Sequence, residues 1–137
     1  MWWVQLWPPR INLEKPSATI RAQALALTSG LSRRRDRALA LHNFVRDNIQ
    51  FGFTPYFDWA TPEDTLRLRR GHCNPQTALL VALLNAAQVP AKQHFVLIPR
   101  SILKGLAPGL PQTLLHSYTE VNVADGAEDE RLSLIHI

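Results

Sequence analysis

One cysteine, Cys73, stands in the run Gly71-His72-Cys73-Asn74-Pro75. A lone cysteine is ordinarily an inert packed residue. Its neighbours here weaken that reading without displacing it. Glycine permits an unusual backbone before the cysteine, and Asn-Pro starts a helix just after it. A thiol at a helix N-terminus has its thiolate favoured by the helix dipole, and the thiolate is the attacking form. The sequence therefore predicts a lowered thiol pKa. Such a nucleophile needs a base, and there are five histidines: His42, His72, His94, His116 and His136. His42 falls inside a helical pattern and reads as structural. His72 adjoins Cys73, and neighbours around a helix start tend to point apart. His94 and His116 each fall on a predicted strand, and either could be set against the helix start. These residues alone do not choose between them.

Metal binding is the competing use of cysteine and histidine. Zinc sites announce themselves through Cys-x-x-Cys or His-x-x-x-His spacing, and neither occurs. No Gly-rich phosphate loop and no Gly-x-Ser-x-Gly elbow is present. The expectation is no metal and no cofactor.

Leu66 to Ala91, LRLRRGHCNPQTALLVALLNAAQVPA, resembles the nucleophile segment of the transglutaminase-like superfamily, and of its bacterial type. That segment runs Gly-x-Cys, an apolar helix, then a Gly-Ile-Pro-Ala-Arg entry to a strand. His116 to Val123, HSYTEVNV, resembles the family's His-Ala-Trp-x-Glu-Val segment. Leu41 to Phe51, LHNFVRDNIQF, resembles the helix before the nucleophile. The resemblance implies an α+β, papain-like core, with a central buried helix packed on an antiparallel sheet. It implies Cys73 as nucleophile and His116 as base, with the backbone N–H of Cys73 as an oxyanion donor. It further implies a thiol enzyme for acyl transfer or amide and peptide hydrolysis, acting on a protein, peptide or amide substrate. No calcium loop of the Asp-x-Asp type is visible, which favours hydrolysis. The alternative is a transglutaminase fold kept as a non-catalytic binding or assembly module.

Three departures from the family pattern stand out. Gln88 replaces the usual Gly after the helix, Lys92 replaces the usual Arg, and the Trp-containing strand ending in a third catalytic residue, Asp, is absent. Asp125 belongs to a turn, and Asp129 sits in a charged, non-strand run. The sheet is therefore expected to lack its later strands, and this chain by itself to be inactive. The last six residues, 132–137, coincide with one reading frame of a transposon-derived sequencing adaptor. They are expected to be an artefact, with His136 functionless. The domain then spans 17–131, incomplete, after an N-terminal arm over 1–16.

The elements that must position Cys73 and His116 can be read from pattern. Ser17 caps a helix to about Ser29, stopped by Gly30, and Ser32 opens a second to about Ile49. Residues 51–59 form an aromatic loop, in which Trp59 reads as core filler, with a place lining the site as its other use. Thr61-Pro62-Glu63-Asp64 starts a short helix. Gln76 to Ala87 is apolar nearly all round, hence a buried central helix. Ala91 to Ile98 and His116 to Val123 read as strands. The Pro/Gly-rich connection from Pro99 to Leu115 reads as a lid over the cleft, and Asp125-Gly126 as a hairpin turn.

Composition sets the outer bounds. With 137 residues, 46% hydrophobic and 19% charged, the chain suits one compact domain. The net charge of +4 is carried mainly by arginine. The clusters at Arg33-Arg34-Arg35 with Arg37 and at Arg67 with Arg69-Arg70 read as solvated helix faces. No aromatic stacking motif lies nearby, so no nucleic acid is expected. One cysteine permits no internal disulfide and is compatible with a reducing, cytoplasmic setting. The apolar start, Met1 to Trp7, ends at Pro8-Pro9, far short of the roughly 18 residues that span a membrane. It reads as an edge strand or docking arm.

Overall fold

The computed structural model describes residues 15–105, 108–126 and 131–134. Most of the expected N-terminal arm, the acidic run at 127–130 and His136 lie outside these. Helix α1 (Ala18–Thr28) is capped by Ser17, whose hydroxyl accepts from the Ile20 N–H at 3.2 Å. Helix α2 (Arg34–Asn48) begins two residues later than Ser32 suggests. Its N-terminus is capped from far along the chain. The Asp125 carboxylate accepts from the Arg34 N–H at 2.9 Å, and the Arg34 guanidinium donates to the Ala124 carbonyl. No local sequence rule could have placed that cap. Helix α3 (Pro62–Leu68) has the full Thr61/Asp64 capping box that its sequence announces.

Helix α4 (Cys73–Ala86) is the centre of the molecule. Every residue from Asn74 to Leu84 is buried, as an all-round apolar helix requires. Helices α1, α2 and α3 pack on one side of it and a sheet on the other. Ile20, Ala24, Leu41 and Val45 meet Leu79, Leu80, Leu83 and Leu84 in a continuous core that Val89, Val121 and Val123 complete.

Two short strands, β1 (Gln50–Phe51) and β2 (Arg70–Gly71), pair in parallel just before α4. Two residues each is too little pattern for sequence to show. Gly71 allows a close approach there: a Cβ would lie 3.1 Å from the Pro75 side chain and 3.2 Å from that of Thr65, so both would have to give by a few tenths of an ångström. The main sheet runs β3-β4-β5, antiparallel throughout. Strand β3 (Ala91–Pro99) pairs with β4 (Thr113–Asn122) from Ala91↔Val121 to Pro99↔Thr113. The expected lid is therefore shorter than the sequence suggests, because β4 starts three residues before His116. A turn of 3-10 helix (Arg100–Leu103) follows β3, and Arg100 fastens the excursion by donating to the carbonyls of Pro108 and Leu110.

The hairpin turn leads into a third strand, β5 (Arg131–Leu134), which pairs with β4 from Asn122↔Arg131 to Thr119↔Leu134. The sequence led us to expect no strand there. Backbone pairing tolerates many sequences, and Leu132 packs against the core from this position. Residues 132–134, set apart from the domain in the sequence, contribute to this strand, which carries no acidic residue.

The helix end explains how Gln88 replaces glycine. Gln88 is exposed in the left-handed region at φ 61, the Val89 N–H bonds the Leu84 carbonyl at 2.9 Å, and the Gln88 N–H bonds that of Asn85 at 3.1 Å. This is a Schellman ending with a side chain where glycine fits best. Left-handed backbone costs an L-residue about 1–2 kcal/mol, part of which glycine loses again to chain entropy. Gln88→Gly is expected to stabilise the fold by about 0.5–1 kcal/mol, read as a raised urea midpoint at unchanged slope. A lowered midpoint would mean that the Gln88 side chain contributes more than its backbone strain costs.

Candidate active site

Cys73 is the first residue of α4 and is partly exposed. Its sulfur lies 3.7 Å from Oδ1 of Asn74, to which the thiol donates. Burial pushes the thiol pKa above its ordinary value. Backbone N–H groups of Ser117, Asn74 and Cys73 act the other way, and the negative charge of Asp58 pushes the pKa up further. The lowered pKa predicted from the helix start is thus overturned. The helix N-terminus does supply N–H groups to the sulfur, but desolvation outweighs them.

Strand β4 brings its own backbone to the nucleophile. Ser117, Thr119 and Val121 are buried and alternate with half-buried His116, Tyr118 and Glu120. The alternation puts Ser117 on the face that meets α4. Its hydroxyl donates to the Cys73 carbonyl at 3.5 Å, and Gln93 of β3 bridges Ser117 Oγ (3.2 Å) and the Asn74 carbonyl (3.3 Å). His116 is the next residue along, paired in register with Val96. Burial lowers its pKa below the ordinary 6.5. Among the described residues no hydrogen bond joins the His116 ring to the Cys73 thiol, and no carboxylate is bonded to that ring. The residues on either side of His116, Leu115 and Ser117, both bond the head of α4 at Asn74 and Cys73.

The other histidines have different occupations. His94 stacks on Tyr118, ring centres 5.2 Å apart, and lies 3.3 Å from a Glu120 oxygen without the alignment of a hydrogen bond. His42 stays on α2 in the field of Asp47. His72, the N-cap of α4, is almost wholly buried in a three-ring cluster with Phe53 and Phe57, and its Nε2 meets Asp58 Oδ1 at 2.5 Å. Asp125, read as a turn residue, is engaged as the α2 cap.

Sequence reasoning missed Asp58. It sits in a 3-10 turn (Phe57–Trp59) inside the aromatic loop, and its Oδ1 also accepts from Nδ2 of Asn74 at 3.0 Å. A carboxylate inside a run of aromatic residues was the available signal. Trp59 is half exposed, so it is not the core filler expected. Phe51, Phe53, Tyr56 and Phe57 of the same loop are exposed too. Among the described residues, no cluster of three metal-ligating side chains occurs, and no helix is long and apolar enough to cross a membrane.

The family model of the transglutaminase-like superfamily matches residues 21–127. No curated protein matches the chain significantly. Two solved structures share the fold. A candidate cysteine protease from Cytophaga hutchinsonii superposes with a TM-score of 0.66 at 18% identity, over 97% of this chain and 43% of its own. A candidate protease from Parabacteroides distasonis superposes with a TM-score of 0.63 at 16% identity, over 89% of this chain and 24% of its own. The chain thus spans less than half the length of either.

Proposed function

This chain belongs to the transglutaminase-like superfamily, and we propose on that ground that it carries the acyl-transfer half of a thiol enzyme, with Cys73 as nucleophile and His116 as base. The observation that carries the reading is the joint at the head of α4. A half-buried thiol lies there against backbone N–H groups, with a histidine of the adjoining strand one residue from its nearest strand contact. In this reading Cys73 attacks the carbonyl of an amide or peptide to form a thioester. His116 takes the thiol proton and passes it to the leaving amine. Water or an amine then attacks the thioester, giving hydrolysis or transamidation. The N–H groups of Cys73 and Asn74 belong to the first turn of α4, which has no intrahelical acceptors for them. They are the donors we assign to the oxyanion.

The pKa directions select between two ways of running this chemistry. Burial raises the thiol and lowers the imidazole. Both groups are then neutral at pH 7, so the proton moves during attack rather than before it. Acylation of Cys73 by p-nitrophenyl acetate, followed by intact mass, is expected to rise with pH through a midpoint below 6.5, where His116 loses its proton. It should level off near neutrality and climb again above 9.0 as free thiolate accumulates. His116→Ala is expected to remove the low-pH rise and slow acylation at pH 7 by about a hundredfold. His94→Ala and His72→Ala should leave the low-pH rise in place. A single rise above 9.0 that His116→Ala does not touch would refute the base.

The second reading, a binding or assembly module without turnover, is favoured by one observation: among the described residues no hydrogen bond joins Cys73 to His116 and no carboxylate is bonded to the His116 ring. Its signature is that same single rise, with no release of a second product from any thioester formed.

A further inference from the structure

The two residues flanking the nucleophile are both held by one atom. His72 precedes Cys73, and its Nε2 meets Asp58 Oδ1 at 2.5 Å. Asn74 follows Cys73, and its Nδ2 donates to the same Oδ1 at 3.0 Å. The pair is shielded, with side-chain exposure of 7% for His72 and 12% for Asp58. Phe53 and Phe57 close over the imidazole with ring centres 5.0 and 4.8 Å away. A buried carboxylate is costly unless its partners repay the desolvation, and here both partners bracket the thiol. The Asn74 amide is used completely. Its Oδ1 accepts the thiol proton, and Nδ2 also donates to the Leu115 carbonyl at 3.3 Å. Leu115 is the residue before His116.

Resting on the assignment of Cys73 and His116 above, we propose that Asp58 is the positioning residue of this site. Its carboxylate fixes the turn that presents Cys73 and, through Asn74, sets the start of the strand that brings His116. The link joins three separate stretches of chain: the aromatic turn 57–59, the head of α4 and the head of β4. The negative charge of Asp58 also pushes the thiol pKa up. Asp58 therefore carries two effects of opposite sign. As a charge it opposes the thiolate. As an anchor it keeps Asn74 and β4 where their N–H groups favour the thiolate.

These effects separate in two variants. The measurement is the pH profile of Cys73 alkylation by iodoacetamide in the whole chain, with thermal melting alongside. Asp58→Asn keeps an acceptor oxygen for His72 and Asn74 and loses the charge. Its alkylation midpoint is expected to fall by about one pH unit. Asp58→Ala loses charge and anchor together, so its midpoint should fall less and lie between the wild-type and Asp58→Asn values. Asp47→Asn, an exposed carboxylate paired with Arg46, is the control and should not move the midpoint. Equal midpoints in Asp58→Asn and Asp58→Ala would leave a bare charge effect and overturn the positioning role. Unchanged midpoints with a lowered melting temperature would make Asp58 a packing residue, which also overturns it. An equal shift in Asp47→Asn would reduce the effect to net charge and overturn the role as well. If Asp58→Ala does not fold, Asn74→Ala takes its place. It too frees β4, but it also removes the Asn74 Oδ1 that accepts from the thiol, so it is read against Asn74→Asp, and Asp58→Ser, which loses charge and anchor together, must place its midpoint between the wild-type and Asp58→Asn values. Alkylation needs no turnover, so these results stand apart from the fate of His116 as base, which is read from the acylation profile.

Discussion

Cys73→Ser is expected to lower acylation at pH 7 by at least about a thousandfold while the melting temperature stays within a few degrees of wild type. The substitution exchanges sulfur for oxygen in a site whose neighbours are backbone N–H groups and an amide oxygen. These accept a hydroxyl without rearrangement. What is lost is the ease of proton removal. A serine hydroxyl is a far weaker acid than a thiol, and His116 lies in an adjoining position without a closed hydrogen bond to pull that proton. The chain has no second cysteine to stand in. The check is p-nitrophenolate release together with intact mass. Acylation persisting at more than a tenth of the wild-type rate would show that another side chain attacks, and the assignment of the nucleophile would fall.

Leu80→Ala is expected to cost about 2–5 kcal/mol. Leu80 is fully buried and belongs to the core of α4, which is enclosed by helices on one side and the sheet on the other. Two layers hold the walls of the cavity apart, so neither can collapse inward without losing contacts of its own. At about 3–5 °C per kcal/mol for a chain of this size, melting should fall by roughly 6–25 °C. Leu25→Ala is the companion, because Leu25 is two-thirds exposed on α1. It should change stability by less than about 0.5 kcal/mol. Urea unfolding of both gives the comparison. A cost below about 1 kcal/mol at Leu80 would mean that the helix relaxes into the gap and that the core is looser than its burial implies.

The central helix was legible because its pattern is extreme: a run apolar on all sides has no place but between two layers. Helix α3 was legible because Thr61, Pro62 and Asp64 each do one local job. The strands were legible in kind, but β4 began earlier than its sequence suggests, since Thr113 to Leu115 pair with Pro99 to Leu97 across a register no local window contains. Placing Cys73 at a helix start was a local inference and held. Its acidity was not local. It is set by burial in the assembled fold and by the charge of Asp58, a residue 15 positions away. The choice of His116 came from family likeness, because strand propensity could not separate it from His94. His94 stacks on Tyr118 beside Glu120, an arrangement across strands that no local window contains. Asp58 and Asp125 show the same limit. Each works on residues distant in sequence, and each reads locally as an ordinary turn residue.

The place of α4 in the chain has a consequence for biogenesis. The ribosome delivers the three covering helices first, then α4, and only afterwards the strands that close its other side. For the time needed to add residues 91–134, the most apolar segment of the protein has half of its partners. At about 5–20 residues per second that interval lasts a few seconds. During it the nascent chain presents an open leucine-rich flank, which is what holding chaperones bind. Synthesis rate and chaperone supply, rather than final stability alone, should therefore govern how much of this protein reaches the native state in a cell.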